Sequence, residues 1–244
     1  MENAFLVSLS HLNALKREMD VIANNLANAN TTAFKSDGIL FEEFLSSKAE
    51  GGPAPDISFV TDYGLVRNMS VGELTQTGNP LDVAISGKGY FAIQFKDNVV
   101  YTRNGHFNIN NAGELVTSDG YQVLNDNLNP IKFTPGAPLP EIAADGTISS
   151  AGAQAGRLGL FSFEDEQGMQ KTMSGLLTTE ETRKPLPRGE AHLLQGSLEN
   201  SNVQPVAEMT RMIDVLRKYQ TAVKLTSVDD ELMRKAIDQL SRIR

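Results

Sequence analysis

The sequence contains no cysteine and no tryptophan, and only three of its 244 residues are histidine. Without cysteine the chain has no disulfides, no thiolate metal ligands and no cysteine nucleophile, and three separated histidines leave little for a zinc site. We therefore predict no metal, no other cofactor and no catalytic residues.

Long hydrophobic runs are also missing. No run of about 18 uncharged apolar residues is present, and Lys16, Arg17 and Glu18 interrupt the first hydrophobic stretch. This pattern argues against a transmembrane helix and a cleaved signal peptide, and so against direct membrane insertion. The net charge of −8 opposes binding to nucleic acid or to an anionic lipid surface. We therefore expect proteins as partners.

Glycine and proline are absent from both ends of the chain. All 20 glycines lie between Gly38 and Gly196, and all 10 prolines lie between Pro53 and Pro205. Since an interior glycine costs a helix about 1 kcal/mol and an interior proline about 3 kcal/mol, the ends can form uninterrupted helices. The middle, residues 36–206, holds 11 basic and 21 acidic residues and carries the excess of negative charge.

Apolar residues at each end recur with a period near 3.5, which is typical of a narrow helical seam. Asn202 and Pro205 mark the start of the second helix, because asparagine can cap free amide groups and proline fits a first turn. The N-terminal seam is Phe5, Leu12, Leu15, Met19, Ile22 and Leu26. The C-terminal series is Met209, Met212, Leu216, Tyr219 and Val223, then Leu225, Val228, Leu232, Ala236, Leu240 and Ile243.

In the middle the period changes to two, and short apolar runs alternate with glycine-containing turns. Residues 86–89 read as the hairpin turn between strands 81–85 and 90–95. We predict an α+β fold in which long N- and C-terminal helices flank a central all-β domain, either a sandwich or an irregular barrel. The expected segments are an N-terminal axial helix (1–35), an extended connector (36–80), a β-rich domain (81–200) and a C-terminal axial helix (201–244).

One asparagine-rich segment, Ile22 to Lys35, is harder to explain as ordinary helix. Asparagine is a poor residue for a helix interior, since its amide competes for backbone hydrogen bonds. One interpretation is a helix end in which Asn28 and Asn30 form the turn. The other is that Asn24, Asn25 and Asn28 bind a neighbouring chain while Leu26 stays on the seam.

The same segment resembles the N-terminal signature of the axial proteins of the bacterial flagellum, the rod and hook subunits. Their pattern is Ala-Asn-Asn-Leu-Ala-Asn, then threonine, a small residue, an aromatic and a basic residue; Ala33 stands where the family usually has glycine. Two further stretches resemble the central region and closing helix of rod proteins. They are residues 78–91 with 101–105, and residues 195–213.

The resemblance implies a non-enzymatic structural subunit of the basal-body rod, which is needed for motility. Such subunits are exported from the cytoplasm through the flagellar type III export apparatus without signal cleavage and stack helically in the rod that crosses the periplasm. Partners would be copies of the chain, other rod and hook subunits, and the export apparatus. Chain length and Glu43-Phe44-Leu45 favour a proximal rod subunit, with a distal rod or hook subunit as the alternative.

We expect the terminal helices to form the assembly interface. Rival hypotheses are a cell-wall-associated enzyme and a monomeric binding module with a self-packed helical hairpin. In the isolated chain the ends should be mobile, unless the two terminal helices pair with each other. The predicted interface residues are Leu12, Leu15, Met19, Ile22, Asn24, Asn25, Leu26, Asn28, Leu216, Tyr219, Leu232 and Leu240.

Overall fold

The structure, a computed structural model, describes residues 2–46, 57–134, 136, 138–150, 152–172, 175–187 and 189–242. Within these ranges, the side chains of residues 2–6, 42–46 and 57–63, and of several positions between 229 and 242, lie outside the description. An N-terminal helix, a β-rich middle and a C-terminal helix confirm the α+β class. The chain divides into two compact units, which are treated separately below.

The first, the helical unit, comprises residues 1–27, 37–67 and 204–244. It contains helices α1 (Glu2–Ala27) and α2 (Pro205–Arg242) and the strands β1 (Asp37–Ser46) and β2 (Ile57–Arg67). Helix α2 has 38 residues, which at 1.5 Å per residue gives a length of about 57 Å. Pro205 is its first residue, as expected for a side chain whose fixed φ suits a first turn and whose missing N–H costs nothing there.

Two details differ from the predicted segments. Helix α1 ends at Ala27 and not at Lys35, because Asn28 begins a turn in which its carbonyl accepts the Thr31 amide at 3.1 Å. The region expected to be only a connector contains an antiparallel ribbon, in which Asp37 pairs with Arg67 and Ser46 with Ile57. The four-segment division as a whole stays a prediction.

The second, the β-rich unit, comprises residues 28–36 and 68–203. Its strands are β3 (Leu74–Gln76), β4 (Val83–Gly87), β5 (Tyr90–Phe95), β6 (Asn98–Thr102), β7 (Phe107–Ile109), β8 (Leu115–Thr117), β9 (Gln122–Val123), β10 (Glu141–Ile142), β11 (Thr147–Ser150), β12 (Ala153–Arg157), β13 (Leu160–Ser162), β14 (Gln170–Lys171), β15 (Leu177–Thr178), β16 (Lys184–Pro185), β17 (Ala191–Gln195) and β18 (Ser197–Glu199). The largest sheet has the order β14-β15-β6-β5-β9-β8-β7, and β13 pairs with both β5 and β16. Three smaller sheets among the described residues of this unit are β10-β11-β12, β17-β4 and β18-β3.

The predicted hairpin at residues 86–89 is wrong. Strand β4 pairs with β17, in the register Val83 to Gln195, while β5 pairs with β6, β9 and β13. The carbonyl groups of Gly87 and Gly89 accept hydrogen bonds from the Arg103 guanidinium, at 3.1 and 2.9 Å. Residues 86–89 therefore form a turn whose carbonyl groups bind the Arg103 guanidinium. The two strands that this turn connects, β4 and β5, do not pair with each other.

Separate hydrophobic clusters stabilise the two units. In the β-rich unit the larger cluster includes Val83, Phe91, Phe107 and Ile148, all of them fully buried. Phe91 and Phe107 make an edge-to-face contact with ring centroids 5.2 Å apart, a favoured aromatic geometry. All members of the two clusters in this unit come from its own residues. The β-rich unit therefore has a self-contained core.

No helix in the described part of the chain is both long enough and apolar enough to cross a membrane.

Candidate assembly site

Within the helical unit, α1 and α2 pack against each other through an apolar seam. Leu15, Ile22 and Val215 are buried at its centre. Arg211 of α2 flanks the seam and donates hydrogen bonds from Nε and Nη2 to Glu18 of α1, at 3.1 and 2.9 Å. The structure therefore has the alternative arrangement, in which the terminal helices pair within one chain. The half-buried residues of the seam are Met19, Met212, Tyr219 and Ala222.

A second apolar stripe of α2 is exposed. It contains Leu216, whose side chain remains 43% exposed although the adjacent Val215 is 2% exposed. Consecutive residues of a helix are rotated by about 100°, so the stripe lies beside the buried face and continues along the same turns. Three pairs of neighbours show this step: Met212–Ile213, Val215–Leu216 and Ala222–Val223. The stripe consists of Val206, Met209, Ile213, Leu216 and Val223.

The C-terminal half of α2 exposes a further apolar series, Leu225, Val228 and Leu232. Leu232 is 58% exposed, which suits a residue that binds another chain. The side chain of Leu240 lies outside the described residues.

The predicted interface residues therefore fall into two groups. The residues on the α1–α2 seam are buried or half-buried inside the chain, whereas Leu216 and Leu232 are exposed. Leu12 and Leu26 are half-buried positions of α1. The seam members among the predicted residues are Leu15, Met19, Ile22 and Tyr219.

The asparagines of the N-terminal signature have different environments. The buried Asn25 side chain accepts a hydrogen bond from the Asp37 amide at 3.0 Å and donates one to the Asp37 carbonyl at 2.8 Å. Its side-chain oxygen and one amide hydrogen are therefore used within the helical unit, and a contact of Asn25 with another subunit stays a prediction. Asn24 is exposed, and Asn28 forms the turn that ends α1.

The β-rich unit contains a buried ion triad, Lys35, Arg103 and Glu199. Glu199 accepts a hydrogen bond from Lys35 Nζ at 2.5 Å and one from Arg103 Nε at 2.8 Å. The three side chains are 6%, 7% and 0% exposed, respectively. Burial lowers the pKa of Lys35 from its ordinary value, and the hydrogen bond with Glu199 acts against this shift. The basic residue of the signature therefore binds inside its own chain.

Next to this triad, Asn202 joins three chain segments, in what we call the Asn202 junction. Its Oδ1 accepts the Ser36 amide at 2.8 Å, and its Nδ2 donates to the carbonyls of Asn68 and Ser70 at 2.8 and 3.1 Å. The prediction that Asn202 caps α2 is wrong, because its side-chain oxygen binds Ser36. The first turn of α2 instead begins with the Glu208 amide bonded to the Gln204 carbonyl.

Ala33 adopts a left-handed backbone conformation with φ of 58°, which is favourable for glycine and uncommon for other residues. The backbone angle expected at the family's usual glycine is therefore retained. Its amide donates a hydrogen bond to the Glu199 carbonyl at 2.8 Å. Residues 33 and 34 therefore lie beside residues 199–202, since the Asn202 amide in turn donates to the Phe34 carbonyl.

Sequence reasoning missed the partners of Lys35. Arg103 and Glu199 lie in stretches that resemble rod proteins, but nothing in those stretches indicates a contact with Lys35. The signal available in the sequence was the presence of charged residues in stretches whose other members are mainly polar or small. These charged residues are Lys35, Arg103 and Glu199. Residues 35, 103 and 199 are far apart in sequence, so no local period indicates that they meet.

The structure also shows the environment of His106, whose imidazole is a kind of group that often performs acid–base chemistry. Its Nδ1 lies 2.6 Å from Oδ1 of the buried Asp82, whose other oxygen accepts the Thr77 hydroxyl at 2.7 Å. Within the described ranges, no serine or threonine hydroxyl is hydrogen-bonded to the imidazole ring, and no three carboxylates or histidines form a metal-binding group. The contacts shown for the Asp82–His106 pair bind a turn to a neighbouring segment.

Three family models match the chain. Residues 5–35 match the flagella basal body rod protein family, and residues 84–152 match the D1 domain of the flagellar hook protein FlgE/F/G family. Residues 194–239 match the C-terminal region of the flagellar basal body rod FlgEFG proteins. The matches include α1 and its signature, the central strands and most of α2.

Curated relatives match over nearly the whole chain. The chain is 38% identical to the flagellar basal-body rod protein FlgF of Caulobacter vibrioides, with 100% of both chains covered. It is 34% identical to FlgF of Mesorhizobium japonicum, with 92% of each chain covered. It is also 33% identical to the flagellar basal-body rod protein FlgG of Bacillus subtilis, over 94% of this chain and 96% of the relative.

Proposed function

The chain belongs to the flagellar basal-body rod protein family and is a structural rod subunit, and we propose that it assembles with copies of itself and with other axial proteins through its terminal helices. The observation that carries the proposal is the exposed apolar stripe of α2. Five apolar side chains of one helix, from Val206 to Val223, are exposed beside a face that is already buried. A helix with two apolar faces has more than one packing partner.

The proposed contact is a heterologous one. The α1–α2 seam uses one face of α2 inside the subunit, and the exposed stripe binds a different surface on the next subunit. Contacts of this kind repeat without closing into a ring and generate a helix, as a rod requires. Leu225, Val228 and Leu232 lie on a different side of α2, since Leu232 is rotated by about 160° from Leu216, and they offer a second exposed apolar surface for another subunit.

We further propose the route and position of the subunit. The chain leaves the cytoplasm through the flagellar type III export apparatus without a cleaved signal peptide and is incorporated into the part of the rod that crosses the periplasm. It inserts into no membrane, binds no nucleic acid and performs no reaction. The bulk negative charge and the structural role of the family support these statements.

Among rod subunits, we propose the role of the relatives named FlgF. Two relatives with this name are 38% and 34% identical, and the FlgG of Bacillus subtilis is 33% identical. Expression of this chain in cells that lack either FlgF or FlgG tests the assignment, because only the absence of the matching subunit should be complemented. Restored motility in the FlgG-deficient cells alone would assign the distal role.

The assembly proposal is tested with Leu216→Asp in the full chain. A charge placed in an apolar contact costs several kcal/mol, so this variant should fold and yet be absent from purified basal bodies. Thr210→Asp is the matched control, since it adds the same charge at an exposed position of α2 that is rotated by about 120° from Leu216. Normal rods containing Leu216→Asp would contradict the proposed interface.

A further inference from the structure

The Asn202 junction lies where the chain leaves and re-enters the β-rich unit. Ser36 is the last residue of this unit before β1, and Asn68 is the first residue after β2. Val203, next to Asn202, is the last residue before the segment that begins α2. Three of the points at which the chain passes between the units are therefore close to one side chain.

Hydrogen bonds connect these three points in a closed circuit. The Asn68 amide donates to the Ser36 carbonyl at 2.8 Å, the Ser36 amide donates to Asn202 Oδ1, and Asn202 Nδ2 donates to the Asn68 carbonyl. A side-chain amide has one acceptor and two donor hydrogens, a combination that suits this arrangement. The Asn202 amide also donates to the Phe34 carbonyl at 3.2 Å.

The neighbouring ion triad connects the same segments a second time. Lys35 Nζ donates to the Ser70 carbonyl at 2.6 Å, and Glu199 Oε1 accepts the Gly72 amide at 3.2 Å. The segments also approach closely, since a Cβ added at Gly72 would lie 2.0 Å from the Asn200 carbonyl oxygen. The segments around Asn202 are thus connected by several hydrogen bonds, although they consist mainly of loops and short strands.

We propose that Asn202 is a positioning residue for rod assembly, which holds together on the β-rich unit the three segments that lead to β1, from β2 and to α2, so that the segment leading to α2 is ordered before the next subunit binds. Segments that are ordered before binding lose less conformational entropy when the next subunit binds. Asn202 contacts no partner in this scheme and acts through Ser36 and Asn68. The inference rests on the proposed function, because it assumes that the helices form the interface.

The test uses two variants of the full chain. Asn202→Ala removes all the side-chain hydrogen bonds, and Asn202→Asp keeps an acceptor for the Ser36 amide but places an oxygen against the carbonyls of Asn68 and Ser70. Asn200→Ala is the matched control. It removes an exposed asparagine from the same loop, whose side chain bonds to the Thr75 hydroxyl outside the junction.

Incorporation is measured as the amount of each variant in purified basal bodies, in cells that lack the wild-type chain. We expect at least a tenfold loss for both Asn202 variants and no change for Asn200→Ala. In the purified Asn202→Ala chain, hydrogen exchange at the Ser36 amide should be at least tenfold faster, while the thermal midpoint of the β-rich unit stays within a few degrees of wild type.

Each other outcome overturns the proposal. Normal incorporation of Asn202→Ala would show that the junction is not needed for assembly. Unfolding of the β-rich unit in both Asn202 variants would assign the side chain to the folding of that unit. Failure of the proposed function itself is recognised separately, because Leu216→Asp, whose junction is intact, would then be incorporated normally.

Discussion

At Ala33 the backbone has a conformation that the side chain disfavours. The left-handed region costs a residue with a Cβ about 1–2 kcal/mol, and Ala33 has φ of 58°. Ala33→Gly removes this strain but raises the entropy of the unfolded chain by about 0.4–1 kcal/mol. We expect a net increase of up to about 1 kcal/mol in the free energy of unfolding, measured by urea denaturation with circular dichroism.

The control for this prediction is Ala23→Gly. Ala23 is an exposed residue inside α1, where glycine costs about 0.5–1 kcal/mol relative to alanine. The two substitutions are chemically identical and should change stability in opposite directions. Equal destabilisation by both would contradict the left-handed conformation at Ala33.

Glu199 is the only carboxylate of the buried ion triad. Glu199→Gln leaves Lys35 and Arg103 buried without their counter-charge, and breaking a buried pair in this way costs about 3–5 kcal/mol. Denaturant unfolding of the β-rich unit should show a loss of this size. Glu141→Gln, at an exposed position of β10, should leave stability nearly unchanged, and equal losses in the two variants would argue against the triad.

Glu114 should make stability depend on pH. Hydrogen bonds, first from Lys132 and then from Gln122 and Asn110, lower the pKa of Glu114 from 4.5 to about 2. Because the folded state binds this proton less readily, the stabilisation is present above pH 4.5 and is lost as the pH falls towards 2. Glu114→Gln should therefore melt below wild type at neutral pH and approach it in acid, and parallel profiles of thermal midpoint against pH would exclude this effect.

At the scale of elements, α2 has two apolar faces with different tasks. Ile22 of α1 is 1% exposed on the seam, and its replacement by alanine should lower the stability of the helical unit by about 2–5 kcal/mol. Leu216→Ala, on the exposed stripe, should change stability by less than about 0.5 kcal/mol. Helical circular dichroism during thermal unfolding measures both, and a large loss for Leu216→Ala would place that residue in the subunit's own core.

For the whole molecule, the order of proteolytic cleavage reports which parts are protected. The seam of α2 extends through Ala222, whereas Leu225, Val228 and Leu232 beyond it are exposed. Segments with few buried contacts open more easily. In dilute wild-type chain, trypsin should therefore cut at Arg234 and Lys235 before Lys16 and Arg17.

This order differs from the prediction that both ends of the isolated chain are mobile. The period of each terminal helix was visible in the sequence, but a seam of period 3.5 fits a partner in the same chain as well as one in another subunit. Simultaneous trimming of α1 and α2 would favour unpaired ends. Analysis of the fragments by mass spectrometry distinguishes these outcomes.

Local patterns in the sequence determined the α+β class, the absence of glycine and proline from the helix interiors, and one strand to the residue. Strand β5 (Tyr90–Phe95) has the bounds that the alternating pattern predicted. These features depend on helix propensity, on periods of two or 3.5 and on turn residues, all of which act between near neighbours in the chain. The family signature was likewise local.

Tertiary structure alone decided which distant groups meet. The turn at Gly87 and Gly89 binds Arg103, and β4 pairs with β17, because long-range strand pairing and a buried cation outweigh the local preference for a hairpin. Asn202 likewise binds Ser36 and Asn68 although its local sequence suits a helix cap. A buried polar group is stable only with its hydrogen bonds satisfied, and the partners available to it are set by the folded arrangement of the whole chain.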